Sequence, residues 1–119
     1  MTQVIAVIGS RNFNDEQKMW RVLDQHKPTK IISGGAKGAD YLAAAYALSK
    51  DIQLHVFKPD WKKYGRGAGI IRNRLIVDAA DYVIAFWDGE SRGTKAAIDY
   101  ARTQNKPVHI EQYSKGGEV

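Results

Sequence analysis

The sequence predicts one α/β domain, a five-stranded parallel sheet with helices on both faces. Three observations carry this. Short apolar, β-branched runs alternate with helix-length segments along the whole chain. The runs are continuously apolar, as strands covered on both faces are. The segments that leave the carboxyl ends of the runs are rich in Gly and small polar or basic residues, whereas those at the opposite ends are plain. A chain of 119 residues is one domain's worth, long enough to bury a core without staples. The domain is placed at 1–112, with a flexible tail over 113–119.

Each element follows from its residues. "QVIAVIGS" (3–10) reads as a buried strand ending in Gly-Ser. "NDEQKMWRVLDQH" (14–26) reads as a helix, with Asn14 as N-cap, Gln17 completing a capping box, and Met19, Trp20, Val22 and Leu23 as its apolar stripe. "TKIIS" (29–33) is the second strand. Residues 40–50 are helical by propensity, with Tyr41, Leu42, Ala45 and Leu48 facing the core. "IQLHVFK" (52–58) is the third strand, and "PDWKKYGRGAG" (59–69) a loop. The third helix spans 70–80, with Ile71, Leu75 and Ala79 on one side. "DYVIAFW" (81–87) is the fourth strand and "DGESRGT" (88–94) a polar loop. A fourth helix (95–105) turns Ala97, Ile98 and Ala101 inward, and "KPVHIE" (106–111) is the fifth strand. The expected strand order is 3-2-1-4-5, because a switch point between strands one and four brings the Gly-bearing loops together.

Composition narrows the function. No cysteine is present, which excludes disulfides and thiolate metal sites and fits a cytoplasmic protein. The N-terminus lacks the pattern of a signal peptide, and no apolar run approaches the roughly 20 residues that span a bilayer, so no membrane partner is expected. The three histidines, His26, His55 and His109, lack metal-ligand spacing, and no nucleophile–His–Asp set stands out. Neither metal nor cofactor is expected. A net charge of +5 favours anionic partners.

Ligands of open α/β sheets bind beyond the carboxyl ends of the strands. The candidate loops are therefore "GSRNF", "SGGAKGAD", "PDWKKYGRGAG" and "DGESRGT". Gly34, Gly35 and Gly38, with Ala36 between them, can bring backbone amides and a helix N-terminus to an anion, with Lys37 adding charge; a tight strand-to-helix turn is the other reading. The spacing is neither a Walker A loop nor G-x-G-x-x-G. Gly89, Ser91, Gly93 and Thr94 form a second loop of the same kind, so two loops can anchor one phosphorylated ligand. Asp40 suits ribose hydroxyls or caps the second helix. Arg11 and Arg72 can clamp phosphate, beside Asn73. Trp61 and Tyr64, among Lys58, Lys62, Lys63 and Arg66, can stack a base or a single strand, or pack the loop down. Asp88 is a loop polar residue or a ligand contact.

Four motifs in order, "IGSRNF", "SGGAKGAD", "DWKKYGRGAGIIRNRLIV" and "DGESRGT", resemble the SLOG superfamily, and most closely its small YspA-type branch. The resemblance runs from about residue 4 to 110. It implies a Rossmann-like sheet that binds nucleotides or nucleotide-derived ligands. Relatives include the Lonely Guy phosphoribohydrolases, which cleave the N-glycosidic bond of cytokinin nucleotides. They also include the DNA-processing protein A (Smf) family, which binds single-stranded DNA, and SLOG domains that sense signals related to ADP-ribose. Gly9, Ser10 and Arg11 match the first motif; Gly34, Gly35, Gly38 and Asp40 the second; Arg72 and Asn73 the third; Gly89, Ser91, Gly93 and Thr94 the fourth. The Lonely Guy motif P-G-G-x-G-T-x-x-E has an acid where this chain has Ala97, and a methyl group cannot serve as acid or base. Arg72 and Asp40 are the catalytic candidates if the chain is an enzyme. The resemblance favours a sensor, carrier or sequestering domain for a nucleotide or ADP-ribose-like molecule. The alternatives are N-glycosidase activity on nucleoside monophosphates and single-stranded nucleic-acid binding. A homodimer or tetramer is the implied assembly.

Overall fold

β1 (Val4–Gly9) is the middle strand of a five-stranded sheet in the order β3-β2-β1-β4-β5. Its neighbours are β2 (Lys30–Ser33), paired Ile5 to Ile31, and β4 (Tyr82–Trp87), paired Ile8 to Ala85; both are parallel to it. β3 (Gln53–Val56) and β5 (Val108–Gln112) form the edges, also parallel. The computed structural model describes residues 3–114. The expected order holds, and the winding direction reverses between β3 and β4, so a crevice opens beyond the carboxyl ends of β1 and β4.

Alternate residues of each strand point to opposite faces. Ile5 and Val7 of β1, with Ile84 and Phe86 of β4, meet α1 (Glu16–His26) and α2 (Ala39–Ser49). Ala6, Ile8, Val83 and Ala85 meet α4 (Ala68–Asp78) and α5 (Arg92–Thr103) on the other face. Both layers are closed by fully buried side chains such as Met19, Leu23, Ile76 and Ile98.

Several local expectations are corrected. α1 is capped by Asp15, not Asn14: Asp15 Oδ1 accepts from the Lys18 amide at 3.0 Å. The short carboxylate adds a favourable charge at the helix's positive end. Asp15→Ala should cost about 1 kcal/mol and Asn14→Ala only a few tenths, as read from urea unfolding midpoints.

α2 buries Ala43, Tyr46 and Ala47; of the expected face Leu42 packs partly against the core, whereas Tyr41 and Leu48 are exposed. Ala43 and Ala47 share the buried side with Tyr46, whose hydroxyl donates to Asp24 Oδ1 at 2.7 Å. α4 starts two residues early and buries Ala68, Ile76 and Val77, leaving Leu75 exposed. Apolar residues occur all around this helix, so periodicity does not single out a face. The expected 59–69 loop contains a one-turn helix, α3 (Trp61–Tyr64), and a 3₁₀ turn over Gly65–Gly67. Asp60 caps α3 by accepting from the Lys63 amide.

Tyr113, within the expected tail, is tied to the fold. Tyr113 donates its amide to Trp87 O at 3.1 Å, packs its ring 5.0 Å from Phe13, and donates its hydroxyl to Asn12 Oδ1. The remainder of the expected tail, 115–119, lies outside the described residues.

Candidate functional site

The loops after β1, β2 and β4 and the facing sides of α4 and α5 enclose a cavity of about 510 Å³. That volume suits a nucleotide-sized ligand. Three arginines, Arg11, Arg66 and Arg72, line it together with two aspartates, Asp40 and Asp88.

The β2–α2 loop wraps an anion that the chain itself supplies. Asp40 is only 8% exposed, and its Oδ2 accepts from the Ala36 amide at 3.1 Å. Burial pushes its pKa above the ordinary carboxylate range; the Ala36 amide, the charges of Arg72 and Arg11, and the Gly34 amide oppose that rise. Ser33 Oγ donates to the Asp40 carbonyl from below.

Arg72 reaches across from α4 to the same place. Nη1 donates to the carbonyl of Gly34 and, at 3.4 Å, to that of Phe57, while Nε donates to Asn73 Oδ1 at 2.8 Å. Burial lowers its pKa, Asp40 opposes the shift and Arg11 adds to it; from so high a starting value it stays a cation. A Cβ on Gly34 would lie 2.8 Å from both Arg72 Nη1 and Asp40 Oδ2. A hydrogen at that position is what lets the guanidinium and the carboxylate close on the loop.

The β4–α5 loop is held from several sides. Asp88 Oδ1 accepts from the amides of Glu90 and Ser91 at 2.9 and 2.8 Å, and its Oδ2 from Asn12 Nδ2 at 3.3 Å. Its own amide donates to Ser10 Oγ at 3.3 Å. Burial acts to raise the Asp88 pKa, but the amides of Glu90 and Ser91 and the side chains of Asn12 and Ser10 outweigh it and hold the carboxyl low. Ser91 caps α5 by accepting from the Thr94 amide, and Trp87 Nε1 donates to the Ser91 carbonyl at 3.0 Å. A helix N-terminus, the Thr94 hydroxyl and the small Gly93 are thereby presented to the cavity.

Of the expected site residues, Gly9, Ser10 and Arg11 line the cavity, with Ala36, Asp40, Arg72 and Asn73 opposite and Asp88, Ser91, Gly93 and Thr94 along α5. Gly34, Gly35, Lys37, Gly38, Trp61 and Gly89 do not. Gly35, Gly38 and Gly89 take positive φ. At Gly38 a Cβ would also meet the Ser10 and Arg11 carbonyl oxygens at 2.5 Å. Lys37 and Trp61 are exposed. Reasoning from sequence did not name Asn12, Gly69 and Ile70 as site residues, and gave Arg66 only to the basic segment around Trp61 and Tyr64. The signal for Asn12 was its place beside Arg11 in the first loop. For Arg66, Gly69 and Ile70 it was the hidden turn of α3, which brings the start of α4 up to the cavity.

Residues 3–64 match the profile of the YspA, cpYpsA-related SLOG family. That stretch is more than half of the chain. The chain belongs to the YspA, cpYpsA-related SLOG family. A relative within reach of direct comparison is the gene 61 protein of Mycobacterium phage D29, 30% identical over 115 residues, covering 87% of this chain and 92% of that one. The same fold also recurs in solved structures. DNA processing protein A from Helicobacter pylori, described for its single-stranded DNA binding mode, superposes with a TM-score of 0.71 at 22% identity. It is matched over 91% of this chain and 64% of its own. The Streptococcus pneumoniae protein of the same name gives 0.77 at 20% identity, over 92% and 50%. At these identities the likeness is one of fold, and this SLOG chain spans only half to two thirds of those structures. Among the described residues, no helix is long and apolar enough to cross a membrane.

Proposed function

We propose that the chain binds a nucleotide or nucleotide-derived ligand of the ADP-ribose type in the cavity at the carboxyl ends of β1 and β4. The observation that carries this is the convergence of Arg11, Arg66 and Arg72 on a nucleotide-sized cavity walled by the N-terminus of α5. Phosphate belongs at that helix end, where Gly93 leaves the backbone approachable and the dipole favours an anion. Asp40 sits on the other wall with its Oδ2 already engaged by a backbone amide. A carboxylate there accepts from ribose hydroxyls, which leaves the phosphates to the α5 side of the cavity.

Binding without cleavage is the better-supported form of this reading, since the buried Ala97 lines the cavity where an acid would be required for glycosidic hydrolysis. A sensor, carrier or sequestering role fits equally. A second reading, single-stranded nucleic acid, draws on what the Helicobacter pylori protein is described as binding.

Calorimetry and thermal unfolding with AMP, ADP, ADP-ribose and NAD test the proposal. A ligand at about 100 times its Kd adds about 2.7 kcal/mol, which raises Tm by roughly 10 °C for a chain of this size. AMP should be recovered intact. Absence of any shift at millimolar concentrations across the panel would overturn the proposal.

A further inference from the structure

We infer that the surface of residues 58–66 continues the cavity into a track for single-stranded nucleic acid, and that the phosphorylated terminal nucleotide of the strand is what enters the cavity. The inference rests on the nucleotide reading of that cavity. α3 holds Trp61 56% and Tyr64 41% exposed, so neither ring is sunk in the core. Trp61 stands at the cavity's rim: a Cβ on Gly69 would lie 3.9 Å from the edge of its indole, and Gly69 lines the cavity. Arg66 and Ile70 line it on either side of Gly69, and Ile70 is itself 56% exposed.

Lys58, Lys62, Lys63 and Arg66 are all exposed along the same segment. Lys63 Nζ lies 5.2 Å from the centre of the Tyr64 ring. Asp60, the acid of this segment, is turned to capping α3. Aromatic faces interleaved with cations are what successive bases and phosphates require, whatever the base. A mononucleotide in the cavity would leave this surface unused.

Charge gives the track its end. The basic segment follows β3, and the β4–α5 loop follows β4, on the other side of β1. Residues 88–91 of that second loop carry two acids and no lysine or arginine. A phosphodiester backbone running on past the cavity would leave its cationic partners behind, whereas one that stops inside it leaves its terminal phosphate with Arg11, Arg66 and Arg72.

The test is fluorescence anisotropy with internally labelled oligothymidylates of about eight nucleotides. They carry a 5′-phosphate, a 3′-phosphate or no phosphate, or are closed into a circle. One phosphorylated end should bind at least about tenfold more tightly than the circle, with a log–log salt slope of about −2 to −3 for three to four neutralised phosphates. The Lys62→Glu/Lys63→Glu variant should weaken the linear strand by about tenfold or more and leave thymidine 5′-monophosphate binding unchanged. Equal affinity for circle and phosphorylated strand would overturn the end assignment. Oligonucleotides that fail to bind a protein that does bind mononucleotides would overturn the inference and leave the proposed function standing. If neither class binds, both fall.

Discussion

Gly38→Ala is expected to lower the melting temperature by more than about 10 °C, the signature of a loss of about 3–5 kcal/mol. Two independent terms add. Gly38 is held at φ 74° and ψ −125°, a region that residues with a Cβ avoid, and such strain costs about 1–3 kcal/mol. The new methyl would also sit 2.5 Å from the carbonyl oxygens of Ser10 and Arg11. Both are backbone atoms, so no rotamer change relieves the clash, and overpacking of this kind costs about 1–3 kcal/mol more. Relief requires α2 to move away from the β1 loop, which would break the bond from the Ala39 amide to Ser10 O. Gly93→Ala is the control. It lies in α5 with no heavy atom within 4 Å of its Cβ position, so alanine there should leave stability unchanged or raise it by up to about 1 kcal/mol. Because Gly93 lines the cavity, the same methyl should weaken nucleotide binding. Urea melts of the two variants separate the glycine that packs from the glycine that leaves room. A Gly38→Ala protein as stable as the parent would contradict the packing account.

That contrast also explains what could be read from the chain in advance. The pattern of elements does not fix the strand order; 3-2-1-4-5 is favoured because a switch point between strands one and four brings the Gly-bearing loops together, and that is the order found. The end of the sheet where the cavity lies was legible for the same reason. The job of each glycine was not. Gly9, Gly34 and Gly38 are written in the same letters as a phosphate cradle, yet each makes room for a close protein contact: Ala39 and Phe86 at Gly9, Arg72 and Asp40 at Gly34, the β1 loop at Gly38. Local composition records that a Cβ is absent and not what occupies its place. Helix faces failed where the pattern carried no contrast. α1 and α5 mix charged and apolar residues, and their buried sides, Met19, Val22 and Leu23 or Ala97, Ile98 and Ala101, are those expected. The buried side of α2 joins Ala39, Ala43 and Ala47 to Tyr46, and alanines also fill positions 44 and 45, so the bulky Tyr41 and Leu48 misdirect the reading. Arg66 reads as part of the basic loop and not of the cavity, because its position depends on α3, a single turn set by the Asp60 cap rather than by any periodicity.

The Arg72–Asp40 pair yields the other large expected effect. Arg72→Ala should weaken nucleotide binding by about 30-fold or more, the loss of one close charge partner. It should also change how stability depends on pH. Asp40 has a folded pKa above its unfolded value of 3.8, so the folded state holds that proton more tightly. Its contribution to stability is therefore greatest below pH 3.8 and is lost as pH rises through the folded value. Arg72 is among the charges that limit the rise. Without it the folded pKa climbs further, the window of loss widens toward neutrality, and the variant should destabilise more between pH 4 and pH 7 than the parent does. The carbonyls of Gly34 and Phe57 lose a donor as well, a cost that does not vary with pH. Asp40→Asn removes the charge and keeps an oxygen for the Ala36 amide, so it should flatten the profile over the same range. The double variant, Arg72→Ala with Asp40→Asn, should recover the pH-dependent part of the loss and none of the carbonyl part. Urea unfolding of the four proteins at pH 4 and pH 7 closes the cycle. A coupling energy equal at the two pH values would mean that the two side chains meet at Gly34 by packing alone, and that the buried carboxylate owes nothing to the arginine beside it.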